Sequence, residues 1–226
     1  MRSHASEKSE DIALHPRSAR ARALREEAIV EAAADLFMVK PIEDVKMTDI
    51  AERANVGVAS IYRYFDTKSN VALRAGSVLW KRFGDGFDEV IDRLDPDTPA
   101  ISRIRAILGQ YLEMSKRNLR FMAFLDELDR IILAGDFDIA QVEEYEASFA
   151  RFRRVYDQLC RDGMEDGTIR SDIDHNLVYD TALHALMNEA QKLERGNVVP
   201  SDDFSTTREL ECLMEMSIFY LEGSGR

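Results

Sequence analysis

Between positions 47 and 73 the chain gathers side chains suited to gripping a polyanion and reading what it carries. Gly57, Val58, Ala59 and Ser60 are small and consecutive, so a helix opening there could lay its backbone against the edges of base pairs. Val58 and Ala59 can touch a thymine methyl, and Arg63 can fork onto a guanine or a phosphate. Tyr62 and Tyr64 combine a packing ring with a hydroxyl that reaches phosphate oxygens. Thr48 and Lys68 sit at expected helix starts, where free N–H groups and the helix dipole favour an anion. We assign Thr48, Tyr64 and Lys68 to positioning and Val58, Ala59, Tyr62 and Arg63 partly to readout. Arg17, Arg20, Arg22 and Arg25 lie upstream and suit either an adjacent groove or a plain solvated face.

A second set of residues suits a different chemistry. Trp80, Phe83, Phe87, Tyr111, Phe121, Phe124, Tyr145, Phe149, Phe152 and Tyr156 recur at helical spacing through the middle of the chain. Such a stripe suits an ordinary core; the same rings can also line a cavity for an apolar molecule. His184, Asn188 and Gln191 share one face of a later helix and could add polar contacts there.

The elements that must position these residues are helices. Only five prolines and eleven glycines occur, and strand-like alternation is scarce. Residues 1–17 are polar and aperiodic and read as a flexible arm. A helix is expected over 18–39, with Ile29, Ala32, Ala33, Leu36 and Phe37 buried and Pro41 as its stop. Thr48 is the expected N-cap of a short helix over 48–54, and Asn55 suits a left-handed residue at its end. Gly57 opens a second short helix over 58–65. Two short helices in a tight turn against a longer one form a helix-turn-helix.

A long helix begins near Lys68 and runs to the break at 95–99. Further helices are expected over 100–117, 119–133, 139–161, 173–195 and 203–222, making about nine in all. Gly135, the pair Gly163 and Gly167, Gly196 and Gly223 mark the breaks. The expected fold is all-α, divided into a helix-turn-helix domain over 18–67 and a helical body over 68–226.

The stretch 47–73 closely resembles the helix-turn-helix of the TetR family of bacterial regulators. The matching residues are Thr48, Ile50-Ala51, Ala54-Asn55-Val56, Ile61-Tyr62-Arg63-Tyr64-Phe65 and Lys68, with no gap. Asn55 stands where the family usually has glycine, a mild change because asparagine tolerates the same backbone. The resemblance is strong over 22–73, and the Gly-rich turn at 163–170 also looks like the family's C-terminal domain. It implies a cytoplasmic, homodimeric repressor of a pseudo-palindromic operator, released by a small-molecule effector held in the C-terminal helices. An effector-free regulator acting through protein contacts is the alternative.

The last two expected helices are apolar on more than one face, which suits a partner copy. Leu183, Met187, Leu210, Leu213, Met214 and Phe219 are the candidate dimer residues. Net charge is −12, but it is unevenly spread. Residues 1–84 carry 14 Lys/Arg against 12 Asp/Glu, and residues 85–226 carry 16 against 30. An acidic body repels nucleic acid and restricts its contact to one end.

An enzyme would need parts that do not assemble in the sequence. His4, His15, His175 and His184 have no metal-ligand spacing, and no GxSxG, P-loop or GxGxxG occurs. Cys160 and Cys212 read as lone reduced thiols. No apolar run approaches the ~20 residues that span a bilayer, and the first residues lack the apolar stretch of a secretory signal. Neither a cofactor, a metal nor a membrane partner is expected.

Overall fold

The computed structural model describes residues 16–135, 137–195 and 208–223, with the side chains of 16–18 and 194–195 left aside. Ten helices make up these residues, with no strand among them: α1 Pro16–Phe37, α2 Met47–Arg53, α3 Val58–Phe65, α4 Lys68–Arg93, α5 Ala100–Arg117, α6 Leu119–Ala134, α7 Ile139–Ala147, α8 Ala150–Asp166, α9 His175–Arg195 and α10 Arg208–Glu222.

Ten helices replace the nine expected, because the stretch read as one helix over 139–161 is two. Its break holds neither proline nor glycine. The Ser148 hydroxyl donates back to the Tyr145 carbonyl at 2.5 Å, and Phe149 adopts φ −119, ψ 0. A serine that bonds its own turn competes with the helical ladder, and the bend lets Tyr145 and Phe149 both reach Trp80.

Gly163 is a second correction. It lies inside α8 and does not open a turn; Gly167, at φ 77, ends the helix alone. A Cβ at Gly163 would collide with the Ile169 side chain, so its small size serves close packing of the returning chain.

The ends of other helices shift slightly. α1 begins at Pro16, which suits a first-turn position, so residues 16–17 of the expected arm are helical. Residues 1–15 lie outside the described residues, as do Gly196 and 203–207. The N-cap of α2 is Lys46 and not Thr48; Asp49 reaches back to the Lys46 amide at 3.2 Å, which leaves Thr48 in the first turn. Asn55 takes the left-handed backbone at φ 53.

One core runs through the N-terminal helices into the body. Ile29, Ala33, Phe37, Ile50, Ile61 and Phe65 pack with Val71, Leu73, Leu79, Phe124 and Leu128. A second cluster ties α5, α8 and α10 through Ile101, Ile104, Leu159, Ile169, Ile218 and Leu221. No helix of the described residues is long and apolar enough to cross a membrane.

Candidate functional site

The first candidate site is the outer face of α2 and α3. Ile61 and Phe65, four apart, turn inward to the core. That leaves Ala59, Tyr62 and Arg63 exposed, with Val58, Ser60 and Tyr64 half-buried at the edges. A Cβ built on Gly57 would meet nothing, so the space at the start of α3 is open to an outside partner. Thr48, in the first turn of α2, is also exposed.

Tyr64 gathers arginines from two helices. Arg63 donates to its hydroxyl at 3.2 Å and lies 5.0 Å from its ring centre; Arg22 of α1 lies 5.6 Å from the same ring. The Arg63 guanidinium, helped by Arg25, holds the Tyr64 phenol below its ordinary range. Three arginines around one phenol form a basic corner where α1 meets α3. The sequence showed these arginines; only the packing of α1 on α3 brings them together.

Lys68 has another task. Its ammonium donates to the carbonyls of Ile42, Glu43 and Val45 at 2.7, 3.0 and 3.0 Å. All three donors of the ammonium are thereby engaged with the loop before α2, and none remains for a phosphate.

Between α3 and α4 the chain reverses on two residues. Asp66 sits at φ 57, ψ −50, and the Thr67 amide donates to the Phe65 carbonyl. This is a γ-turn of the strained sense. The Thr67 hydroxyl caps the Asn70 amide at 3.1 Å, and the Asn70 side chain donates back to the Phe65 carbonyl at 2.9 Å. α3 is therefore bonded directly to the first turn of α4.

The second candidate site is a cavity of about 320 Å³ lined by residues of α4 to α10. Trp80, Phe83 and Phe87 line it from α4, Tyr111 from α5, Tyr145 from α7, and Phe149, Phe152 and Tyr156 from the start of α8. Trp80 Nε1 donates to the Tyr145 hydroxyl at 2.9 Å, and the Trp80 ring stands 5.0 Å from Phe149. Gly76 permits this, since a Cβ there would lie 2.8 Å from both Leu128 and Tyr145. Burial raises the Tyr145 phenol and pushes Tyr111 up to about 12; the Tyr111 hydroxyl lies enclosed near that of Ser115, neither of them hydrogen-bonded. Asp129, Tyr179, His184 and Ser217 add polar groups to the lining.

A polar latch joins this body to the N-terminal helices. Arg120 of α6 donates to the Phe37 and Lys40 carbonyls at 2.8 and 3.1 Å and pairs with Glu127 at 2.7 Å; Glu127 in turn accepts from the Ile42 amide at 2.7 Å.

Comparison with known proteins decides what such a molecule is. Residues 29–75 match the family of bacterial regulatory proteins described as tetR. The uncharacterised HTH-type transcriptional regulator YdeS of Bacillus subtilis is 30% identical over 152 residues, which cover 65% of this chain and 68% of YdeS. The chain belongs to the TetR family. The HTH-type transcriptional repressor KstR2 of Mycolicibacterium smegmatis is 23% identical over 159 residues, 70% of this chain and 73% of KstR2. In three dimensions this TetR-family chain shares the fold of the transcriptional regulator FadR from Bacillus subtilis, solved in complex with stearoyl-CoA. The TM-score is 0.63 at 13% identity, covering 86% of this chain and 98% of FadR.

Not every ring or polar group expected at the cavity of this TetR-family chain is found there. Phe124 is fully buried and stacks on Phe37 at 5.7 Å, between α6 and α1. Phe121 lies behind the cavity wall, against Trp80 and Phe83. Asn188 is exposed and off the lining, whereas His184 lines the cavity and is open to solvent as well. Of the residues expected at a partner copy, Leu183 and Met187 line the cavity, Leu210 is fully buried, and Leu213 and Met214 pack half-buried on the chain's own core. Phe219 alone of that set is exposed, at 64%, with Leu177, Met216 and Tyr220 as exposed apolar residues on the same two helices. Asp129 escaped the sequence reading, because a lone carboxylate on a helix resembles any solvated one.

Proposed function

We propose that this TetR-family regulator is a cytoplasmic, homodimeric repressor, not an enzyme. In this reading α3 enters the major groove of a pseudo-palindromic operator, and an apolar, ring-bearing small molecule in the cavity releases it. The observation that carries the reading is the course of α4. At one end it is bonded to α3 through Thr67 and Asn70; further along, Trp80, Phe83 and Phe87 form the cavity wall. At 1.5 Å rise per residue, Lys68 and Trp80 stand about 18 Å apart on one rigid element. A ligand that displaces the later turns tilts the earlier ones and changes the spacing of the two recognition helices.

Gly57, Val58, Ala59, Ser60, Tyr62 and Arg63 meet base edges and the backbone beside them. Thr48 and Tyr64, with Arg22 and Arg25, hold phosphates. Lys68 is left out of the contact set, since its bonds are internal. The helix-turn-helix domain over 18–67 carries these contacts, and the body over 68–226 carries ligand and partner. The partner copy packs on the exposed Leu177, Met216, Phe219 and Tyr220 of α9 and α10.

The test begins with operator sites selected from a random DNA pool. Hydrophobic compounds that change the fluorescence of Trp80, the sole tryptophan, are then titrated against the protein–operator complex. A coupling of about 1–3 kcal/mol weakens the complex roughly 5–150-fold. Tight binders that leave operator affinity unchanged overturn the effector role and favour the effector-free alternative. A wild-type protein that sediments as a monomer at micromolar concentration overturns the dimer.

A further inference from the structure

We infer that the cavity selects a hydrophobic cation, an apolar molecule bearing a protonated or quaternary amine, held by the Asp129 carboxylate and by the faces of the surrounding rings. This rests on the ligand role proposed above and adds a charge to it.

Among the described residues, Asp129 is the one carboxylate in the cavity lining, and it makes no hydrogen bond or ion pair with any of them. Asp129 and His184 both line the cavity and both remain open to solvent, which places them at its mouth. The charged groups acting on Asp129 are Asp126, itself paired with Arg130 at 3.1 Å, and His184. Burial, the larger influence, and Asp126 raise the Asp129 carboxyl above its usual range, while His184 opposes them. At the mouth, between solvent and a ring-lined space, this carboxylate meets an incoming cation with no partner of its own to give up.

Four arginines on the surrounding helices have carboxylate partners, although Arg103 and Arg151 each keep one buried nitrogen without a hydrogen bond. Arg74 pairs with Glu144, Arg151 with Asp88, Arg103 with Asp162 and Arg153 with Asp180. Among the described residues, no arginine or lysine lines the cavity. Ring faces add to the same preference, because an aromatic face is the negative end of a quadrupole. Trp80, Phe149 and Tyr145 stand in sequence with centres 5.0 and 5.4 Å apart, and Tyr145 shares its end of the cavity with Asp129, whose charge bears on its phenol. An anionic head group entering here meets a like charge at the mouth, within a body that carries 16 Lys/Arg against 30 Asp/Glu over residues 85–226. The stearoyl-CoA of the FadR neighbour, with its phosphates, is therefore a poor guide to this cavity, although the fold is shared.

The experiment uses the full-length protein and three probes with one chain length, decyltrimethylammonium, decanol and decanoate, below their micellar concentrations. Binding is read by Trp80 fluorescence and by calorimetry. The expected order is ammonium over decanol over decanoate, with roughly tenfold or more between the first and last. Asp129→Asn should weaken the ammonium roughly tenfold, leave decanol unchanged and strengthen decanoate. Asp92→Asn, which removes an equal charge from an exposed site on α4, should leave all three unchanged; thermal unfolding checks that both variants fold.

The inference is overturned if decanoate binds wild type as well as the ammonium does, if no probe binds, or if the two variants respond alike. Release of operator is measured in parallel. Ammonium that binds through Asp129 without releasing DNA sinks the effector reading and spares the charge preference. Release by decanoate in preference to the ammonium does the reverse.

Discussion

The unit formed by α1 to α3 and the helices around the cavity draw on the same side chains and use them in opposite ways. In the first, Ile61, Phe65, Ile50 and Phe37 are buried in the core, and the outer face carries the polar groups. In the second, Trp80, Phe83, Phe87, Tyr145 and Phe152 surround about 320 Å³ of space, and the buried hydroxyls of Tyr111 and Ser115 are left without a hydrogen bond. Proteins pack their interiors as densely as organic crystals, so an apolar space of this size is an expensive feature to retain. The packed end presents its polar groups on an outer face, while the hollow end leaves room among its rings. Arg120, Glu127 and α4 join the two.

Four substitutions probe that contrast. Phe37→Ala should have the largest effect, about 3–5 kcal/mol of lost stability in urea unfolding, because the ring is fully buried and stacked on Phe124. Lys68→Met should come next, at about 1–3 kcal/mol, since three carbonyls lose a charged donor. Its operator binding should keep the wild-type salt dependence; a flatter dependence would show a phosphate contact and return Lys68 to the DNA face.

Phe152→Ala should cost only about 1–2 kcal/mol, because one side of the ring already faces open space. It should also blunt any ligand response while leaving operator affinity nearly intact. A loss as large as that of Phe37→Ala would mean that the cavity is packed in solution and would break the comparison.

Asp35→Asn should be the mildest, at about 0–1 kcal/mol, since its partners Arg53 and Arg82 are solvent-exposed. Hydrogen bonding from Arg53, more than from Arg82, holds the Asp35 carboxyl below its ordinary range. Its contribution is therefore present above the unfolded value and lost as pH falls through the lowered one. Wild type and variant should converge in stability on acidification; a gap that stays constant would show that the charge plays no part.

The N-terminal unit was almost wholly readable in the sequence. Its information is local: Ile61 and Phe65 four apart, Asn55 at a tight turn, Gly57 ahead of a run of small residues. The body was readable as helices but less so as a site. Ser148 breaks a helix through one hydroxyl, a signal too weak to separate from the many serines that do not. Phe124 and Phe152 have the same periodicity, and only the packing of α6 on α1 sends one into the core and the other to the cavity. Leu210 and Phe219 look equally apolar, yet one is enclosed by α9 and the core while the other is bare. Lys68 is ambiguous in sequence for a related reason: a cation at a helix start looks the same whether its partner is an outside anion or, as here, carbonyls arriving from 23–26 residues upstream.

The γ-turn at Asp66 bears on how such regulators can be recombined. A two-residue reversal held by the Phe65 carbonyl from both Thr67 and Asn70 has no slack. Extra residues inserted there would uncouple one half from the other even if both halves folded. A chimera that grafts this operator reader onto a foreign sensor must therefore keep Asp66, Thr67 and Asn70 together and be spliced further along α4, within the turns before Trp80. Replacing Asp66 with glycine would relieve the strained backbone and, by loosening the joint, separate the durability of the molecule from its ability to pass a signal.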